Sequence, residues 1–197
     1  MCIILLAGLS GSGKSTLAKL ITDKLKAYYS SGDTFMEEEW LKLAPKIFTE
    51  GWLTPEGKPL LRAAARDYNR GKIFFDRTRS AMNQHFANEI LKAHSQNHQF
   101  FVADWFFMPA LKIWQTADIK IITVAEREMR HTYLAKRKPV GISRESSPGF
   151  DRQAEFLYTQ EVLNEALVFE NCFNGIDEFE DFATEMVNNI LLKTSIE

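Results

Sequence analysis

The stretch Gly8-Leu9-Ser10-Gly11-Ser12-Gly13-Lys14-Ser15 stands directly after an apolar run, Cys2-Ile3-Ile4-Leu5-Leu6-Ala7. Behind it, Leu17, Leu20, Ile21 and Leu25 recur at the spacing of one helix face. The spacing G-x-x-x-x-G-K-[ST] between a buried strand and a helix has a physical reading. Glycines let the backbone curl so that successive N–H groups converge on one oxyanion, and the helix adds its N-terminal dipole. Lys14 then brings a cation to the β- and γ-phosphates of a nucleotide, and the Ser15 hydroxyl takes one position on Mg²⁺. The expected nucleotide-binding set is Gly8, Ser10, Gly11, Ser12, Gly13, Lys14, Ser15 and Thr16, with the Lys14 ammonium exposed in the empty site.

Outward from this loop, short apolar runs alternate with amphipathic stretches, the pattern of an α/β protein with a parallel sheet. Strands are expected at 2–7, 28–31, 99–104, 119–124 and, more weakly marked, 166–170. In the last helix candidate, Phe179, Phe182, Ala183, Met186, Val187, Ile190 and Leu191 follow the i, i+3, i+4, i+7 rule, with Glu180, Asp181 and Glu185 turned outward. Pro45, Gly51, Pro55, Gly57 and Pro59 punctuate a loop, and 138–149 has no apolar period and reads as a mobile loop. The expectation is one three-layer domain over 1–197, with a five-stranded, mainly parallel sheet and helices on both faces.

The glycine-rich loop at the start of so short a chain resembles that of the P-loop nucleoside and nucleotide kinase superfamily. The resemblance implies ATP and Mg²⁺, a core of 1–33 and 99–197, an acceptor-binding insert over 34–98 and a lid at about 138–149. Asp33 follows the second strand, at the crevice edge where open α/β sheets bind ligands. There it can take the proton of an attacking hydroxyl, or cap a helix over 34–44. Asp104 closes the third strand beside the loop, as a metal-side acid with Ser15 or as a plain strand-end carboxylate. Arg127, Arg130, Arg137, Arg144 and Arg152 resemble the arginines of a kinase lid, and Arg137 and Arg144 are the catalytic candidates beside Lys14 and Asp33. Tyr133 stands where the lid-entry pattern has its first arginine. Asn171, after Val168-Phe169-Glu170, resembles the turn near adenine, though an ordinary turn explains it as well.

In the insert, Arg62, Arg66, Arg77 and Arg79 are candidates for a phosphate on the acceptor, against the alternative of solvated helix faces. Two resemblances compete for the substrate. The order of strand 99–104, stretch 105–111 and Asp118 resembles dephospho-coenzyme A kinase, although the histidine-proline pair of that family is missing and His85 is followed by Phe86. Asp33-Thr34-Phe35 and Gly71-Lys72-Ile73-Phe74-Phe75-Asp76 resemble uridine-kinase-like enzymes. The expected activity is transfer of the ATP γ-phosphate to a hydroxyl of a nucleotide-like metabolite, with dephospho-coenzyme A as one candidate acceptor. A nucleotide-binding switch or slow NTPase is the alternative of another class; the Asn-Lys-x-Asp guanine-reading sequence of GTPases is not found.

Composition narrows the partners. A net charge of −2 gives no broad attraction for nucleic acid or an anionic membrane, so the expected partner is a small acceptor molecule. No apolar run reaches the ~18 residues of a membrane span. Cys2 and Cys172 read as reduced thiols rather than a disulfide framework, which makes the cytoplasm the expected compartment.

Overall fold

A computed structural model describes residues 1–35, 68–136, 157–172 and 175–194. Five strands form one sheet: β1 (Cys2–Gly8), β2 (Tyr28–Ser31), β3 (Phe100–Asp104), β4 (Ile119–Val124) and β5 (Leu167–Glu170). Their order is β2-β3-β1-β4-β5, and all four pairings are parallel. The helices are α1 (Lys14–Leu25), α2 (Tyr68–Ser95), α3 (Lys112–Thr116), α4 (Arg127–Lys136), α5 (Gln160–Asn164) and α6 (Ile176–Thr194).

Side chains alternate across a strand, so the continuous apolar run of β1 serves two cores. Leu5 and Ala7 join Phe101, Ala103 and Ile122 on one face, under Met82, Phe86 and Ala93 of α2 and Trp114 of α3. Ile4 and Leu6 join Val102 and Ile121 on the other, under Leu17, Ala18 and Ile21 of α1 and Ala183, Met186 and Ile190 of α6. This is the expected three-layer arrangement, and the second half of α2 is one of its layers. The final helix buries Phe179, Ala183, Met186, Val187 and Ile190 as the period predicts. Leu191 departs from the expectation: it is 42% exposed, because 3.6 residues per turn carry it one step past the seam that Ile190 closes.

The register levels the strand ends. Leu6 of β1 and Ser31 of β2 both pair with Asp104, and Gly8 pairs with Thr123 of β4. Beyond β1 the chain turns to α1 on one face, and beyond β3 to α3 on the other. Neighbouring strands that leave in opposite directions open a crevice between their carboxyl ends, which is where such sheets bind ligands.

Candidate active site

The loop from Gly8 to Lys14 is supported from beneath by β4 and by the turn after β5. Ser12 is fully buried, and its hydroxyl meets Thr123 Oγ1 at 2.6 Å, while Thr123 Oγ1 donates to the Ala7 carbonyl at 3.3 Å. Asn171 Nδ2 donates to the Ser12 carbonyl at 2.9 Å, and Arg130 Nη1 to the Ser10 carbonyl at 3.4 Å. Gly13 precedes α1 with φ at 94°, and a Cβ there would lie 2.5 Å from Phe179 Cζ. Both the backbone angle and the contact exclude any other residue at low cost.

Charge gathers at the mouth of the loop. Lys14 Nζ lies 3.3 Å from Asp33 Oδ2 and 3.8 Å from Asp104 Oδ2. Ser15 donates to Asp104 Oδ2 at 2.6 Å, and the Tyr29 hydroxyl to Asp104 Oδ1 at 2.5 Å. Burial, and then the adjacent Asp104 carboxylate, push the Tyr29 hydroxyl well above its ordinary value, so it remains a donor. Asp104 is fully buried, whereas the Asp33 side chain is 57% exposed toward the crevice. Lys14 is itself buried, contrary to the exposed ammonium the motif suggested, because the two carboxylates fold its stem over the loop. Asp33 is not the cap before a helix beginning at 34: residues 32–35 are already helical, so it lies within the first turn. Gly32 allows that turn to sit against Trp105, whose ring carbon Cγ would be 2.5 Å from a Cβ at this position.

Two neighbouring features complete the crevice. Tyr158 reaches it from the segment before α5; its hydroxyl accepts from the Gly8 N–H at 2.8 Å and donates to the Phe106 carbonyl. On the far side of Gly13, a cavity of about 580 Å³ opens between α4 and the start of α6, lined by Thr16, Glu128, Thr132, Tyr133, Ile176 and Phe179. Its walls are largely apolar and aromatic, with Glu128 and the two threonines as polar groups, which is the chemistry that accommodates a nucleobase.

The sequence therefore brought Lys14, Ser15, Asp33 and Asp104 together. Arg130 and Asn171 are placed beneath the loop, on carbonyls of Ser10 and Ser12, rather than open to solvent. Arg79 is exposed and lines a separate polar cavity of about 430 Å³ with Ser80, Asn83, Gln84 and Lys112. Arg77 lies within α2; Arg62, Arg66, Arg137, Arg144 and the 138–149 stretch fall outside the described residues. His85, the residue weighed against the missing histidine-proline pair, is 3.1 Å from Ser30 Oγ and stacks on Phe35 at 3.9 Å. Tyr29, Thr123 and Tyr158 had no local signal, since each acts on a residue far away in the chain.

Solved structures share this fold over nearly the whole chain. The protein TT1252 from Thermus thermophilus superposes with a TM-score of 0.69 at 20% identity, covering 96% of this chain and 97% of its own. Shikimate kinase from Acinetobacter baumannii gives 0.57 at 15% identity, covering 98% and 94%. Dephospho-CoA kinase from Campylobacter jejuni gives 0.56 at 18% identity, covering 95% and 96%. The chain has the P-loop kinase fold. No family model matches it. No curated protein matches it. Among the described residues of this P-loop kinase fold, no helix is long and apolar enough to cross a membrane. At such identities the likeness carries the architecture alone.

Proposed function

We propose that the protein is an ATP-dependent kinase that phosphorylates a hydroxyl of a small, nucleotide-like metabolite. The observation that carries this reading is the position of Lys14 between two carboxylates of unlike exposure, 3.3 Å from Asp33 and 3.8 Å from Asp104. A phosphate-binding loop uses the lysine; phosphorylation of a hydroxyl is speeded by a carboxylate that a substrate can reach, and Asp33 faces the crevice.

In this reading the triphosphate lies along the Gly8–Lys14 loop, with the base in the cavity beside Tyr133 and Phe179. The Lys14 ammonium leaves its carboxylate partners for the β- and γ-phosphate oxygens. Asp33 accepts the acceptor's proton as its oxygen forms the new bond to γ-phosphorus; the bond from γ-phosphorus to the β–γ bridging oxygen breaks, and ADP leaves. Ser15 Oγ and Asp104 Oδ2, 2.6 Å apart, are the hard oxygen donors that suit Mg²⁺, directly or through water. Bound there, the ion would neutralise charge on the transferring phosphoryl group. Arg137 and Arg144 are proposed to close over the phosphates, and Arg62, Arg66, Arg77 and Arg79 to meet an anionic group on the acceptor.

Dephospho-coenzyme A is one acceptor to test, on the order of residues 99–118, and a nucleoside such as uridine is another, on Asp33-Thr34-Phe35. ADP release from ATP–Mg²⁺ should be measured against a panel of dephospho-coenzyme A, nucleosides, nucleoside monophosphates and sugar acids. One of these should raise turnover well above the rate without acceptor and emerge phosphorylated. Slow ADP release that no acceptor accelerates would overturn the kinase reading in favour of a nucleotide-hydrolysing switch.

A further inference from the structure

The carboxyl ends of β1 and β3 are joined by a hydroxyl where a backbone rung would be expected. The last rung of that ladder is Trp105 N–H to the Leu6 carbonyl, at 3.1 Å. A parallel ladder continued by one step would take the Gly8 N–H to the carbonyl of Trp105. That carbonyl instead accepts from Met108 N at 3.3 Å, as the chain turns away after Asp104. The Gly8 N–H donates to the Tyr158 hydroxyl at 2.8 Å, and the same hydroxyl donates to the Phe106 carbonyl. Leu157 and Tyr158 pack on the core beneath, which fixes the ring behind its hydroxyl. We propose that Tyr158 is a positioning residue of the phosphate-transfer site, a side-chain rung that sets the phosphate loop at a fixed distance from the strand end bearing Asp104.

The inference rests on the nucleotide reading above, and the chemistry of the rung fits it. A phenol can both donate and accept, which is what one N–H and one carbonyl facing each other across a gap require. Desolvation pushes this hydroxyl well above its ordinary value, and the nearby Asp33 carboxylate adds to the shift, so the donating proton stays in place. Phosphate binding by backbone N–H groups depends on their being aimed before the ligand arrives. Gly8 is the entry to that loop, and Asp104 is two residues before Phe106; one hydroxyl therefore touches both arms of the site.

The test is Tyr158→Phe, which keeps the ring in its packing and removes the rung. Binding of Mg²⁺–tripolyphosphate, followed by titration calorimetry, should weaken by about tenfold, the scale of one hydrogen bond lost from a prearranged site. Binding of adenosine, followed by NMR shifts of the cavity residues, should not change. A merely structural tyrosine would lower the melting temperature and move both ligands together, or neither, and either result overturns the proposal. The native protein supplies a second measurement that needs no variant. The Gly8 amide should exchange with solvent as slowly as amides within β1, and rapid exchange there would show that the hydroxyl does not hold it. If the native protein binds neither tripolyphosphate nor ATP, the nucleotide reading fails and this inference with it. Native binding with an unaltered Tyr158→Phe variant removes only the role given to Tyr158.

Discussion

Asp33→Asn separates the two things a carboxylate beside Lys14 can do. The pair lies 3.3 Å apart, but the Asp33 side chain is 57% exposed. Across water-like surroundings two unit charges at that distance attract by only about 1 kcal/mol, and exposure and side-chain entropy reduce the net to about 0–1 kcal/mol. No cap is lost either, because Asp33 lies inside a helical turn that starts at Gly32. The variant should therefore melt within about 2–4 °C of the native protein. A non-hydrolysable ATP analogue should bind at least as tightly, since one negative charge facing the phosphates has gone. Turnover is another matter. Loss of a positioned general base lowers the rate by roughly 10²–10⁴-fold. The assay is acceptor-dependent ADP release at saturating ATP–Mg²⁺, run beside analogue binding and a melt. If Asp33→Asn turns over at the native rate, the acceptor's proton goes elsewhere and the role of Asp33 falls. If turnover and analogue binding fail together, Asp33 serves the nucleotide and not the acceptor.

Lys14→Ala should cut turnover by roughly 10²–10³-fold, as for loss of one preorganised donor. It should also cost about 1–3 kcal/mol in a urea melt, because the fully buried Asp104 loses its nearby cation. Gly13→Ala forces a φ of 94° on a residue with a Cβ and drives that carbon into Phe179. The backbone alone costs about 1–2 kcal/mol, and ATP-analogue binding should fall with stability, since Phe179 also walls the cavity proposed for the base. Burial, with Asp118 beside it, pushes the Cys2 thiol up to about 11, whereas Cys172 is exposed. Alkylation at pH 8 should therefore mark Cys172 first, read by peptide mass spectrometry. The folded state holds the Cys2 proton after the unfolded chain has released it, so that thiol makes stability fall as pH rises from 9.0 to about 11.

What was legible in the sequence was what depends on neighbours in the chain. The buried strands betray themselves as apolar runs, and the observed β2 and β4 coincide with the expected 28–31 and 119–124. Asp33 and Asp104 could be singled out because a parallel sheet sends every strand's carboxyl end to one edge, so an acid just past a strand is near the loop by topology. The supports beneath the site were hidden for the opposite reason. Thr123 is an unremarked residue within β4 until the register places it against Gly8 and hence against Ser12. Tyr29 and Tyr158 are ordinary aromatics in sequence, and only the tertiary fold carries their hydroxyls to Asp104 and Gly8. Arg130 shows the limit of reading charge alone: its place along the helix resembles that of a lid cation, and the fold buries it under the Ser10 carbonyl.

The second hydrophobic face has a consequence for how the protein is made. Ile4, Leu6, Val102 and Ile121 are roofed jointly by α1, formed early in synthesis, and by α6, which follows the last strand. A nascent chain that has already assembled β1, β3 and β4 still lacks half of that roof until residues 176–194 have left the ribosome. Contacts between segments so distant in sequence form late, and an apolar face left open meanwhile invites association. Chains arrested before residue 176 should accordingly engage holdase chaperones through this face, while chains whose residues 176–194 have cleared the ribosome should release them.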